Sequence, residues 1–218
     1  MRKVLFATGA VLVISGFAGE AKAALVTFIG ADNAVSSLAQ MTNSVAAETS
    51  WAAAVPGASV ITFEGALPAG VGVSGGTTTN TSGCGALCGF NTTSGGSLFY
   101  LMEGGTATFT FTTPINAFGM YIMGLQTDAV SQETLTFSDG SSQTINTPAS
   151  INGGGAFVGF TDFGKSISSV SYNATGDIVA LDDVRYSTGS AVPEPSSVVL
   201  LGTALAGLGL LGRKLKRA

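Results

Sequence analysis

From residue 58 to residue 186 the chain runs in short blocks of Val, Ile, Phe, Tyr and Thr, divided by Gly, Asn, Asp and Ser. Apolar and polar positions alternate within many of these blocks, most strictly in Thr108-Phe109-Thr110-Phe111-Thr112. A period of two puts successive side chains on opposite faces of an extended backbone, so such a block reads as a strand with one buried face. The predicted strands cover residues 59–63, 97–102, 106–112, 117–123, 133–137, 142–146, 156–161, 167–173 and 178–186. Asp139-Gly140 lies between two of them and is a hairpin signal, since a tight primed turn needs residues that tolerate positive φ. Many short strands at this spacing predict a mainly β fold, an antiparallel sandwich or barrel.

Two stretches depart from the pattern. After a short strand over residues 25–29, residues 32–54 carry Val35, Leu38, Met41, Val45 and Trp51 near helical spacing, with Asp32 placed as an N-cap and Pro56-Gly57 as a stop. They predict one N-terminal helix flanking a sheet. Residues 65–96 are dense in Gly, Thr, Ser and Asn and predict a long loop with one short strand.

The ends are written differently. Arg2 and Lys3 precede an apolar run from Val4 to Ala18, and Ala21-Lys22-Ala23 follows as a small-x-small cleavage site, the layout of a signal peptide over residues 1–23. At the other end Val192-Pro193-Glu194-Pro195 leads into an apolar stretch over 196–212, closed by Arg213, Lys214, Lys216 and Arg217. As a helix this stretch would span about 25 Å, a little short of a hydrocarbon core of about 30 Å. The basic cluster would stay cytoplasmic and everything upstream would be exported. The chain therefore divides into 1–23, a single β domain over 24–188, and a tail over 189–218.

Separating the ends changes the charge. The net value of −4 hides a body, residues 24–195, with only Lys165 and Arg185 against twelve acids, or −10. Such a surface repels phosphate backbones and excludes nucleic acid as a partner. The chain has no His, which removes the usual neutral-pH general base and the zinc sites built on imidazole. No cofactor is expected, and divalent cations are the partners this charge favours. Asn152-Gly153-Gly154-Gly155 lacks the Lys-Ser/Thr of a phosphate loop and reads as a turn.

The tail, with Pro193-Glu194-Pro195, an apolar helix and a terminal basic cluster, resembles the PEP-CTERM sorting signal of Gram-negative bacteria. That resemblance implies an exosortase as processing partner, cutting near 193–195 after transient anchoring in the inner membrane, and a destination at the cell surface or outside the cell. Three phrases of the body, Val60-Ile61-Thr62-Phe63-Glu64-Gly65, Pro114-Ile115-Asn116-Ala117-Phe118-Gly119 and Ile178 through Asp182-Asp183 to Tyr186, resemble those of galactose-binding-like jelly-roll modules. This resemblance implies a jelly-roll-like sandwich.

Carboxylates are the remaining source of chemistry. Asp182 and Asp183 sit among the apolar Val179, Leu181 and Val184, where an ionised group is costly unless paired or metal-bound. Together with Glu64, at a strand end, they are candidate ligands for a structural Ca2+ ion; the competing reading is an acidic edge that discourages strand pairing. Strand periodicity points the two aspartates to opposite faces, so one would ligate and the other would meet solvent or Arg185, and the two could not straddle a glycosidic bond. Cys84 and Cys88 form a small disulfide in an oxidising compartment, or remain two free thiols. The expected function is non-enzymatic: an exosortase-sorted surface or biofilm-matrix protein of structural or adhesive role. The alternative is a carbohydrate-binding module with an extracellular polysaccharide as partner. It requires an exposed aromatic strip, and burial of Trp51, Phe99, Tyr100, Tyr121 and Tyr172 would remove it.

Overall fold

The computed structural model describes residues 25–126, 132–137, 140–146, 153–174 and 176–188. The signal peptide, the tail, the linker from 189 onward and Asp139 of the expected hairpin turn lie outside them. Among the described residues no helix is long and apolar enough to cross a membrane.

Strict alternation becomes one-sided burial where one sheet face meets solvent. In β6 (Thr106–Ile115) Ala107, Phe109 and Phe111 are buried, while Thr110 and Thr112 are exposed. β6 belongs to a five-stranded antiparallel sheet of order β3-β6-β11-β8-β9, with β3 at Val71–Ser74, β8 at Gln132–Phe137, β9 at Ser142–Asn146 and β11 at Ile167–Asn173. β8 and β9 pair antiparallel from Gln132↔Asn146 to Thr136↔Ser142, the pairing a hairpin requires.

The opposing seven-stranded sheet has the order β1-β10-β7-β12-β5-β4, with β2 also on β12. Its strands are β1 (Val26–Asp32), β2 (Ser59–Ile61), β4 (Thr77–Thr79), β5 (Phe99–Glu103), β7 (Ala117–Leu125), β10 (Gly154–Thr161) and β12 (Ile178–Ser187). β7 and β10 are buried along their whole length because this sheet is covered twice. Phe118, Met120 and Ile122 face the sandwich interior with Phe109, Phe160, Val179 and Leu181. Ala117, Tyr121 and Met123 face the other way, with Phe157, Val35, Met41 and Trp51. That second cover is the helix α1 (Thr42–Ala54). The result is the expected antiparallel β-sandwich of jelly-roll type with one flanking helix.

The helix is shorter than the sequence suggests, and Asp32 acts on it from outside. Asp32 ends β1, a single 3-10 turn (Leu38–Gln40) intervenes, and the N-cap position belongs to Met41, which offers no side-chain cap. The Asp32 carboxylate instead accepts from the Asn43 and Ser44 amides at 3.0 and 2.9 Å and from the Ser44 hydroxyl at 2.7 Å. It thereby satisfies two orphan donors of the first turn from the strand below. Trp51 pins the other end, donating its indole N–H to the Phe160 carbonyl at 3.0 Å. The long Gly-rich segment holds two short strands, β3 and β4, where one was expected; both are largely Thr, Gly and Val with little burial, which leaves a weak apolar signal.

Candidate functional site

β12 has two neighbours on one flank. β5 pairs with Ile178, Val179, Ala180 and Leu181, and β2 pairs with Val184, Arg185 and Tyr186. Asp182 and Asp183 fall in the gap between them. On the opposite flank the register with β7 runs from Asp182↔Tyr121 to Arg185↔Gly119, so β12 carries one extra residue there. This is a β-bulge, and Asp183 takes a left-handed φ of 45° within it. The bulge resets the alternation, so that Leu181 and Val184 both reach the sandwich interior.

Both aspartates consequently turn toward one partner, the loop before β5, which corrects the expectation of opposite faces. Asp182 Oδ2 accepts from the Thr92 amide at 2.7 Å, the Thr92 hydroxyl at 3.1 Å and the Thr93 amide at 3.2 Å. Asp183 meets the Thr92 and Thr93 hydroxyls at 3.1 and 2.9 Å. Arg185 pairs with neither; its Nε lies 3.0 Å from Glu48 Oε1 on α1. Glu64 follows β2 and holds the far end of the same loop, accepting from the Ser97 and Leu98 amides, each at 2.6 Å. Phe63 beside it has a φ of 58° and stacks on Tyr100 with ring centroids 5.3 Å apart.

The three residues singled out as metal ligands thus share a loop, with Asp182 and Asp183 at its start and Glu64 at its end. Among the described residues no three His, Cys, Asp or Glu side chains gather closely enough to hold a metal ion. In this arrangement the carboxylate oxygens are engaged by the Thr92, Thr93, Ser97 and Leu98 amides and by the Thr92 and Thr93 hydroxyls. Burial pushes the Asp182 carboxyl up to about 6, with the charge of Asp183 adding to it, against the opposing pull of the Thr92 and Asp183 amides. Asp182 is fully buried and Asp183 is 8% exposed, so neither is open to a substrate.

A second loop lies alongside. Cys84 and Cys88 are joined in a disulfide with Cα atoms 5.6 Å apart, Cys84 exposed and Cys88 buried. The chain leaves it through Gly89, whose φ of 130° is open to glycine alone and which abuts the Ala180 methyl. Between the two loops lies an open depression of about 360 Å³, lined in part by Asn80, Ser82, Phe90, Asn91, Ser97 and Phe99. By residue type the sequence marks Phe90 and Phe99 here, with Tyr100, as aromatics that could stack on a sugar, whereas nothing in the hydrophobic pattern marks the polar Asn80, Ser82, Asn91 and Ser97. The aromatic residues on which a flat sugar platform would depend are elsewhere: Trp51, Phe99, Tyr100, Tyr121 and Tyr172 are all buried.

No curated protein matches the chain. Solved structures similar to it include a variant of a family 29 carbohydrate-binding module, 13% identical with a TM-score of 0.40 over 63% of this chain and 98% of the other. A family 29 module from Piromyces equi is 15% identical, with a TM-score of 0.37 over 62% and 91%. The enzymatically active domain of a bacteriophage CBA120 tailspike protein is 17% identical, with a TM-score of 0.32 over 55% and 19%. Superpositions this loose say nothing of a ligand. The family comparison is specific but confined to the end of the chain: residues 191–217, the segment with Pro193-Glu194-Pro195 and the terminal basic cluster, match the PEP-CTERM protein-sorting motif, which implies an exported protein processed by an exosortase.

Proposed function

We propose that the protein is displayed at the surface or in the extracellular matrix of a Gram-negative bacterium, where its sandwich has a non-enzymatic structural or adhesive role. The tail holds the precursor in the inner membrane until an exosortase cuts near 193–195. β12, inside the seven-stranded sheet, ends at Ser187, four residues before the matched motif begins at 191, so the sandwich is carried on a very short linker.

The observation that carries the non-enzymatic reading is the engagement of Glu64, Asp182 and Asp183. A general acid or base must reach the proton it moves, and the two aspartates are buried under the loop they hold, while Glu64 Oε1 is occupied by two amides. The carbohydrate-binding alternative loses its aromatic strip with the burial of all five rings.

Two measurements test the proposal. Mass spectrometry of the surface fraction should recover a mature form without Arg213 to Ala218; recovery of those residues still attached would make the tail a permanent anchor. Hydrolysis of any polysaccharide by the purified mature protein would overturn the non-enzymatic role.

A further inference from the structure

β1 is an edge strand that carries none of the devices by which edges avoid pairing. It ends the seven-stranded sheet, and among the described residues only β10 pairs with it. One flank of this seven-residue strand therefore holds N–H and C=O groups directed away from the sheet. Charges, prolines, bulges and shortness are what blunt such an edge. Val26 to Ala31 contains neither a charge nor a proline, and the register with β10 runs unbroken from Val26↔Thr161 to Asp32↔Gly155. The other edges are shorter: β2 and β4 have three residues each, β3 has four and β9 has five.

The side chains on this edge are apolar, with Val26 48% and Ile29 43% exposed. Phe28 packs toward α1 while Leu25 and Ala31 pack toward the sandwich interior, so alternation puts Ile29 on the interior face, where it stays uncovered. The helix lies over the same edge. Ser44 of α1 donates its hydroxyl to the Gly30 carbonyl at 3.2 Å, and Trp51 donates to Phe160 of β10. Every exposed position of α1 is Thr, Asn, Ser or Ala. The two acids on this side are already engaged, Asp32 by Asn43 and Ser44 and Glu48 by Arg185. A body of charge −10 thus keeps one side on which a second body of the same charge can approach.

We propose that β1 pairs antiparallel with β1 of a second copy of this chain, across a two-fold axis at Ile29, so that the two seven-stranded sheets become one. In that register Ile29 meets its own copy, Phe28 lies opposite Gly30, which has no side chain to oppose the ring, and Val26 lies opposite Asp32. The helix selects a second copy over an unrelated strand. With strands about 4.8 Å apart, a helix midway over β1 and β10 comes to lie about 10 Å from its copy, the separation at which helices pack. The small exposed residues of α1 permit that approach. A contact about 24 Å long and about 20 Å deep covers roughly 500 Å² of each partner, at the lower bound for a specific interface. The dimer is therefore weak and forms where the protein is concentrated, as on a surface or in a matrix. It adds a partner to the proposed structural role and does not depend on processing of the tail.

The test is sedimentation equilibrium of the purified mature protein, with amide hydrogen exchange on the same samples. Between about 1 μM and about 500 μM the mean mass should rise toward twice that of the monomer, and alternate amides from Val26 to Ala31 should gain protection as it does. Ile29→Lys, at an exposed position, should weaken the dimer about tenfold or more with unchanged melting temperature, whereas Leu87→Lys, similarly exposed on the disulfide loop, should leave it intact. Ile29→Cys reads a gain instead of a loss: mild oxidation should cross-link it to its copy, because directly opposed Cα atoms lie about 5 Å apart. Val26→Cys, about 20 Å from its copy in this register, should not cross-link. A monomer at every concentration, equal weakening by Leu87→Lys, or cross-linking through Val26 as readily as through Ile29 would overturn the pairing. So would β1 amides fully protected at the lowest concentration, which would put a segment of the same chain on that flank.

Discussion

Asp182 and Asp183, consecutive in β12, each place a carboxylate oxygen 3.1 Å from the same Thr92 hydroxyl. One hydroxyl hydrogen serves one acceptor at a time, so the two charges face each other across a group that cannot satisfy both. A proton on one carboxyl relieves this, in keeping with the Asp182 value of about 6.

That value sets the direction of a pH effect. The folded Asp182 binds its proton more tightly than the unfolded chain, whose carboxyl titrates near 3.8. Its favourable contribution is therefore complete below the unfolded value and is lost as pH rises through about 6. Asp162, raised by burial, acts in the same direction. The melting temperature should rise by a few degrees between about pH 7.5 and pH 5, and Asp182→Asn should flatten most of that slope. Scanning calorimetry across the range checks it; a fall over the same interval would show that burial does not raise the Asp182 carboxyl in the folded protein.

Asp32 works in the opposite sense at lower pH. Burial pushes its carboxyl up, but the Ser44 and Asn43 bonds outweigh it and the net shift is downward. Its contribution is present above the unfolded value of 3.8 and is lost as pH falls through the lower folded one. Asp32→Ala should cost about 1–2 kcal/mol, within the measured range for lost caps. Hydrogen exchange should locate the loss in the first turn of α1, at Asn43 and Ser44, where the accepting carboxylate is gone.

These two carboxylates also show where the sequence is readable and where it stops. Phe109 and Phe111 lie inward and Thr110 outward because period two holds wherever one strand faces one core. The continuous burial of Met120, Tyr121 and Ile122 comes from two covers on one sheet, which blurs alternation without hiding the strand. Asp183 escapes the same logic. Its direction depends on β5 and β2 sharing a flank of β12, on the gap they leave, and on a bulge that pairing with β7 accommodates; none of these is encoded within a few residues of position 183. Asp32 was legible as a cap by residue type, but its partner turn lies eleven and twelve residues on, beyond any local capping signature. Phe90 is legible only by its aromatic type, because the Gly- and Thr-rich stretch around it carries no periodicity.

Gly89 is the position at which a single methyl group should do most damage to the loop. Alanine there would collide with the Ala180 methyl and would have to hold a φ of 130° that L-residues rarely adopt. Gly89→Ala should destabilise the protein by about 2–4 kcal/mol, a strain cost plus an overpacking cost. Gly83→Ala, in the same loop with open space around its would-be side chain, should change stability by less than about 0.5 kcal/mol. Urea unfolding of the pair separates a local steric effect from general loop sensitivity.

Calcium is the sharpest remaining test of the carboxylate arrangement. An ion needs six to eight oxygens with lone pairs converging at about 2.3–2.6 Å, whereas here the Asp182 and Asp183 oxygens receive hydrogens from Thr92 and Thr93, and Glu64 Oε1 receives those of Ser97 and Leu98. Bringing the three carboxylates onto one ion would require the loop to give up these bonds. With the bonds in place, Ca2+ should raise the melting temperature no more than Mg2+ at matched ionic strength, and a chelator should not lower it. Asp182→Ala should instead destabilise the protein with or without the metal, by about 1.5–3 kcal/mol for each charge-assisted bond left unmade. A Ca2+-specific rise in melting temperature that disappears in Asp182→Asn or Asp183→Asn combined with Glu64→Gln would show that the ion displaces the Thr92 and Thr93 donors, and that these three residues are ligands as their chemistry in the sequence suggests.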